Sequence, residues 1–159
     1  MATRSAIGIE NKDGSVTGIY CHWDGYPSGV GAKLVNFYKT NTKIGKLLGL
    51  GDLSSLGKNI GSKHSFSNPY CYGRQVDKFD KWRAKHDDMC TAYGRDRGDI
   101  EIKAQLYENA QSFVDWLGDA GCEYFYLYRD GAWLVSDGKD DKFRAVVEVI
   151  AMEVENDSN

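Results

Sequence analysis

The segment CEYFYLYRDGAWLVSDG, residues 122–138, narrows the choice of fold more than any other stretch of the chain. Aromatic and β-branched residues flank Arg129-Asp130-Gly131, and an Asp-Gly pair suits the positive φ angles of a tight type I′ turn, so the segment predicts a β-hairpin. With Asp130 and Gly131 at the bend, Tyr128 faces Trp133 and Leu127 faces Leu134. Side chains alternate along a strand, so one face carries Tyr124, Tyr126, Tyr128, Trp133 and Val135 and the other Phe125, Leu127 and Leu134. Both faces are apolar, which predicts cover on both sides. The four rings of the first face suit core packing under a helix, or alternatively a stacking platform.

A second hairpin is predicted where residues 4–10 and 15–23 flank Asn11-Lys12-Asp13-Gly14. With Asp13 and Gly14 as a two-residue bend, Ile7 faces Tyr20 and Gly8 faces Ile19. Ile7, Ile9, Tyr20 and His22 then share a face, with His22 at the sheet edge. The two hairpins have a common outline but too few identities for a duplication.

Between and after the hairpins the spacing turns helical. Ser28 is placed to cap a helix carrying Val30, Leu34, Phe37 and Tyr38 and ending near Thr40. Asn41 or Thr42 caps Lys43 to Leu48, and Gly49 stops it. GLGDLSSLGKNIG, residues 49–61, reads as short helical turns packing Leu50, Leu53, Leu56 and Ile60, with Ser54 and Ser55 as caps. Residues 62–89 form an irregular excursion with one helical stretch around Asp77 to Lys85. MCTAYG resumes as a short strand, and Asp99 caps a helix from Ile100 to Leu117 with Ile102, Leu106, Ala110, Phe113 and Leu117 as its stripe. Phe143, Val147, Ile150 and Val154 mark a last helix before a polar tail, residues 155–159, that frays. Hairpins with helices inserted between them define an α+β fold: one domain, 1–159, with a largely antiparallel sheet of about four to six strands and helices packed on it.

Charge excludes one class of partner. The 20 Lys and Arg residues against 23 Asp and Glu leave a net charge of -3, with no global attraction for nucleic acid or an anionic membrane. Lys78, Lys81, Trp82, Arg83, Lys85 and His86 interleave charge with an aromatic ring, but Asp77, Asp80, Asp87 and Asp88 lie among them, so a solvated face is the reading. No stretch approaches a membrane span, and the N-terminus lacks the apolar run of a signal peptide, so a cytoplasmic protein is expected. Cys21, Cys71, Cys90 and Cys122 are then expected as thiols. Zinc would need scattered residues such as His86, Cys90 and Cys71, and no metal or cofactor is expected.

YCHWDGYPSGVG, residues 20–31, is the richest chemical cluster. It ends a strand and leads to a helix start near Ser28, where free amide groups favour an anion. Tyr20, His22, Trp23, Asp24, Tyr26 and Ser28 are therefore candidate ligand-binding residues, and His22 with Asp24 the candidate acid-base pair. Cys21 and His22 point to opposite faces and cannot form a dyad while the chain stays extended. A packed turn, with Trp23 and Tyr26 on the sheet edge, is the alternative. In Tyr93-Gly94-Arg95-Asp96-Arg97-Gly98-Asp99, Arg95 and Arg97 are candidates for an anion clamp, against a loop of Arg-Asp pairs. No G-x-S-x-G, H-E-x-x-H or phosphate-loop motif is present.

IGIENKDGSVTGIYCHWDGYPSGVG, LLGLGDLSSLG, AYGRDRGD and EYFYLYRDGAW together resemble a group of small accessory proteins of bacteriophages and prophages. The resemblance implies a protein acting in the host cytoplasm, with counter-defence as the sharpest form. Two routes follow from it: sequestration of a phosphate-bearing small molecule such as a signalling nucleotide, and inhibition of a host enzyme by protein docking. A small hydrolase centred on His22 and Asp24 is a third. Sequestration requires the opening motif and the GRDRGD loop to meet in one pocket, completed by a second subunit in a homo-oligomer.

Overall fold

The computed structural model describes residues 2–67 and 88–158, the side chains of 157 and 158 excepted. Strands β1 (Ser5–Glu10) and β2 (Val16–Cys21) form the first hairpin. Strands β3 (Leu53–Ser55), β4 (Thr91–Ala92) and β5 (Gln105–Tyr107) follow, then the second hairpin, β6 (Tyr124–Arg129) and β7 (Ala132–Ser136), and β8 (Arg144–Ala145). They form one sheet in the order β4-β3-β2-β1-β6-β7-β8, with β5 attached to β2. The β1–β6 and β2–β3 pairings are parallel and the others antiparallel. The fold is α+β with a mostly antiparallel, mixed sheet.

The second hairpin has the expected register. Tyr128 pairs with Trp133 and Leu127 with Leu134, and φ angles of 51° at Asp130 and 80° at Gly131 make the turn. The first does not. Ile7 lies opposite Ile19 and Ala6 opposite Tyr20. The Asp13 carboxylate accepts from the Ser15 N–H at 3.0 Å, and the Asn11 N–H donates to the Ser15 carbonyl at 2.7 Å, so the loop takes three residues with Gly14 at φ 88°. A shift of one residue exchanges faces. Tyr20 therefore shares a side with Ala6 rather than Ile7.

Helices cover both sides of the sheet. On one, α1 (Ala32–Phe37), α2 (Asn41–Gly49) and α5 (Val146–Ser158) bury Leu34, Ile44, Leu47 and Val146 against Ile7, Ile19, Tyr126 and Trp133. On the other, α4 (Ala110–Asp119) sets Phe113 and Leu117 against Ala6, Val16, Phe125 and Leu127. Gly8 and Gly18, paired across β1 and β2, make room for the Phe113 ring: a Cβ on Gly18 would lie 2.5 Å from it. Tyr126 and Trp133 are buried and Tyr124 and Tyr128 half-buried, so this row packs the core rather than forming a stacking platform.

Several helical expectations give way to longer-range pairing. Ser28 is no cap; Pro27–Gly31 form a π-type turn after Tyr26, and Phe37 faces outward on α1. The Thr40 hydroxyl, not Asn41 or Thr42, caps α2 by accepting from the Lys43 N–H at 3.2 Å. Leu53, Ser54 and Ser55 form β3 rather than a helical turn, because β2 offers its outer edge there. Asp99 starts no helix either. Ile100 and Leu106 are exposed, residues 105–107 fill the edge of β2 beside Val16 to Gly18, and Asn109 caps the shorter α4. Tyr93–Arg97 form the one-turn helix α3, closed by Gly98 at φ 83°. Phe143 precedes the last helix and packs on the α4 side, while Val146, Val149 and Ile150 take its inward face and Val147 and Val154 are exposed. That helix runs to Ser158, into the polar tail.

Candidate ligand-binding cleft

The opening motif leaves the sheet in a defined order of hydrogen bonds. Beyond Cys21, the N–H groups of His22 and Trp23 donate to the Leu53 and Ser54 carbonyls, each at 3.0 Å, so the chain keeps running beside β3. Asp24 ends this run at φ 58°. Its carbonyl then accepts from the Val30 N–H at 2.9 Å, and the Gly25 N–H donates to the Thr3 carbonyl at 2.8 Å. Gly29 lies under the turn so closely that a Cβ would be 2.3 Å from the Asp24 carbonyl oxygen. No larger residue fits. Pro27 begins the helical turn at a position that needs no N–H. The result leaves Trp23 46% and Tyr26 41% exposed, and the Tyr26 hydroxyl donates to the Asp24 carboxylate at 3.4 Å.

These residues form one wall of a cleft of about 370 Å³. The facing wall comes from the end of β3 and the approach to β4: Ser55, Leu56, Asp88, Met89 and Thr91. Val30, Leu56 and Met89 are buried and give it an apolar floor. The Lys33 ammonium, on α1, donates to Asp88 Oδ1 at 3.2 Å and to the Leu56 carbonyl at 3.0 Å. Asp88 also accepts from the Lys58 N–H at 3.1 Å and, like Asp24, has left-handed backbone, at φ 48°. Two aspartates in this sparsely populated region lie on one cleft; such conformations cost about 1 kcal/mol or more each and gather at binding sites. Among the described lining residues there are two carboxylates and one ammonium, so the cleft favours a donor edge over an anion.

The other sequence candidates lie elsewhere. His22 Nδ1 is hydrogen-bonded to the Tyr20 hydroxyl at 2.8 Å, and its ring meets Trp23 edge-on with centroids 4.7 Å apart. Asp24 is not its partner, so the acid-base pair does not form. Burial pushes the Tyr20 hydroxyl up from its ordinary value. Ser28 is exposed and does not line the cleft. Cys21 is fully buried and its thiol is pushed up to about 12 by desolvation, which leaves it no nucleophile.

Arg95 is an internal strut, not an anion clamp. Its guanidinium donates to Asp96 Oδ1 at 3.0 Å, to the Ile60 carbonyl at 2.9 Å and to the Cys90 carbonyl at 2.8 Å. Asp96 is buried and also accepts from the N–H groups of His64 and Ala92. Arg97 forms a forked pair with Asp99 at 3.0 and 2.7 Å, its guanidinium over the rings of Phe66 and Tyr93. Neither arginine lines the cleft. Cys21, Cys90 and Cys122 are free thiols, and no cluster of metal-ligating residues occurs among the described residues. No helix of the described residues is long and apolar enough to cross a membrane. Cys71, His86 and the mixed-charge stretch from Asp77 to Asp87 lie outside the described residues.

Lys33, Ser55, Asp88 and Thr91 were not visible as site residues in the sequence. Their segments carry no motif, and only the pairing of β2, β3 and β4 brings them to the opening turn. Comparison with known protein families, curated proteins and solved structures gives no match.

Proposed function

We propose that the protein is a non-catalytic binder that captures a planar nitrogenous ring, the base of a nucleotide, in this cleft. The observation that carries the reading is that the half-exposed rings of Trp23 and Tyr26 line one cleft with Asp24, whose carboxylate accepts from the Tyr26 hydroxyl at 3.4 Å. A base stacks on an aromatic face, and a carboxylate accepts the N–H groups of its edge, as the guanine edge offers in parallel. Ser55 and Thr91 add hydroxyls on the facing wall. The phosphate end lies outward; Lys33, the one cation among the described lining residues, is already paired with Asp88. Binding is favoured over turnover because His22 is hydrogen-bonded to Tyr20 and does not line the cleft, and the Lys33 ammonium is held by Asp88 and the Leu56 carbonyl. In the phage setting that the sequence resemblance implies, such capture withdraws a signalling nucleotide from the host cytoplasm, gripped by its base at the opening motif and without the GRDRGD loop, whose arginines lie outside the cleft.

Calorimetric titration with guanosine, adenosine, guanosine 5′-monophosphate and inorganic phosphate tests this. Nucleosides bind, guanosine more tightly than adenosine, and a 5′-phosphate changes the affinity by about twofold, the weight of one exposed ion pair. Trp23→Ala lowers affinity about tenfold, the loss of one stacking contact. Binding of phosphate alone, or equal binding by Trp23→Ala and the native protein, contradicts the reading.

A further inference from the structure

A second surface, on the side of the sheet covered by α4, has the character of a docking site. Trp116 is 69% and Leu106 71% exposed, and they line a shared groove of about 320 Å³ with Gln105, Tyr107, Glu108 and Ser112. Large apolar side chains this exposed, next to one another, mark interaction surfaces more often than chance exposure does. The groove borders β5, which among the described residues pairs only with β2 and so presents its outer backbone edge unpaired. An unpaired edge is a template for an added strand.

Charge selects the occupant. Glu108 lines this groove, and a second groove of about 480 Å³, also bordered by α4, is lined by Asp115, Asp119 and Asp137. No cation lines either groove among the described residues. A second copy of the same face would bring these carboxylates against their like, which costs affinity.

We propose that β5 and α4 receive an extended, basic segment of a partner protein, which adds as a strand to β5. Alternate side chains of such a segment fall on one side, so an apolar residue sits between Leu106 and Trp116 while arginines meet Glu108 and Asp115 or lie on the Trp116 ring. The surface is independent of the cleft, with which it shares no lining residue.

The test uses the full chain and two ten-residue synthetic peptides, one alternating arginine with valine and the other alternating glutamate with valine. The basic peptide binds, slows hydrogen exchange at the amides of Gln105, Leu106 and Tyr107, and loses about tenfold in affinity in Trp116→Ala, the weight of one interfacial anchor. The acidic peptide does not bind. Trp116 is exposed, so its replacement leaves the fold intact, and the doubly charge-reversed Asp115→Lys, Asp119→Lys protein gives a second reading by losing the basic peptide. Binding unaffected by either change, or without exchange protection at β5, overturns the proposal. So does a dimer in sedimentation that Trp116→Ala dissociates.

Discussion

The Tyr126 hydroxyl donates to the Gly25 carbonyl at 2.6 Å, joining the second hairpin to the opening turn across 101 residues of chain. Tyr126 is fully buried, and desolvation raises its hydroxyl well above the ordinary value, so it remains a donor throughout the working pH range. This bond holds the turn that carries Trp23, Asp24 and Tyr26. Tyr126→Phe leaves the Gly25 carbonyl without its donor and costs about 1–3 kcal/mol. A urea titration shows it as a lower midpoint with an unchanged slope.

Gly18→Ala tests the seating of α4. Its new Cβ meets Phe113 Cε1 at 2.5 Å, and overpacking of this kind costs about 1–3 kcal/mol. Phe113→Leu combined with Gly18→Ala should cost less than the sum of the two single changes. Additive thermal shifts would place the strain elsewhere.

Asp52 gives a pH signature. Its carboxylate accepts from the Tyr20 N–H at 3.0 Å in the gap that β3 and β5 leave on the edge of β2, and burial raises its pKa above 3.8. A carboxyl whose folded value exceeds its unfolded one takes up a proton on folding, so its contribution falls as pH rises from 3.8 through the folded value. Asp52→Asn keeps an acceptor for Tyr20 without the charge. Stability measured at pH 7 is therefore equal to or above that of the native chain, whereas Asp52→Ala lowers it.

Arg95→Ala should unfold before it affects binding. It strips the buried Asp96 of its guanidinium partner and leaves the Ile60 and Cys90 carbonyls short of a donor. Breaking a buried pair from one side costs about 3–5 kcal/mol. A nucleoside affinity that changes at unchanged melting temperature would contradict this.

Thiol labelling separates the buried cysteines from the reactive kind. Burial pushes Cys21 and Cys122 up to about 12 and raises Cys90. Iodoacetamide at pH 8 should leave all three unmodified in the folded protein and modify them once urea is added, as read by peptide mass spectrometry.

Local chemistry was legible in the sequence, and non-local pairing was not. The second hairpin follows from Asp130-Gly131 and strict alternation, both contained in one short segment. In the first, the Asp13–Ser15 hydrogen bond decides between a two- and a three-residue loop, and residue types alone leave both open. Ile102, Leu106 and Ala110 do stand at helical spacing, yet the free edge of β2 draws residues 105–107 into extended chain. The same limit applies to the cleft. Its aromatic wall lies in one contiguous motif, but Asp88 reaches Lys33 across 55 residues, and the β2, β3 and β4 pairings that join them have no local signature. Arg95 carried the chemistry of an anion site, and burial of Asp96 beside it turned that chemistry inward.

Mapping guanosine onto the folded chain by amide chemical shifts tests the central claim most directly. The account predicts that the shifted resonances cluster at Trp23 to Val30, Ser55, Leu56, Asp88, Met89 and Thr91, and that Asp24→Asn weakens the response. Shifts centred on Arg95 and Arg97, or no shifts at millimolar nucleoside, would contradict it.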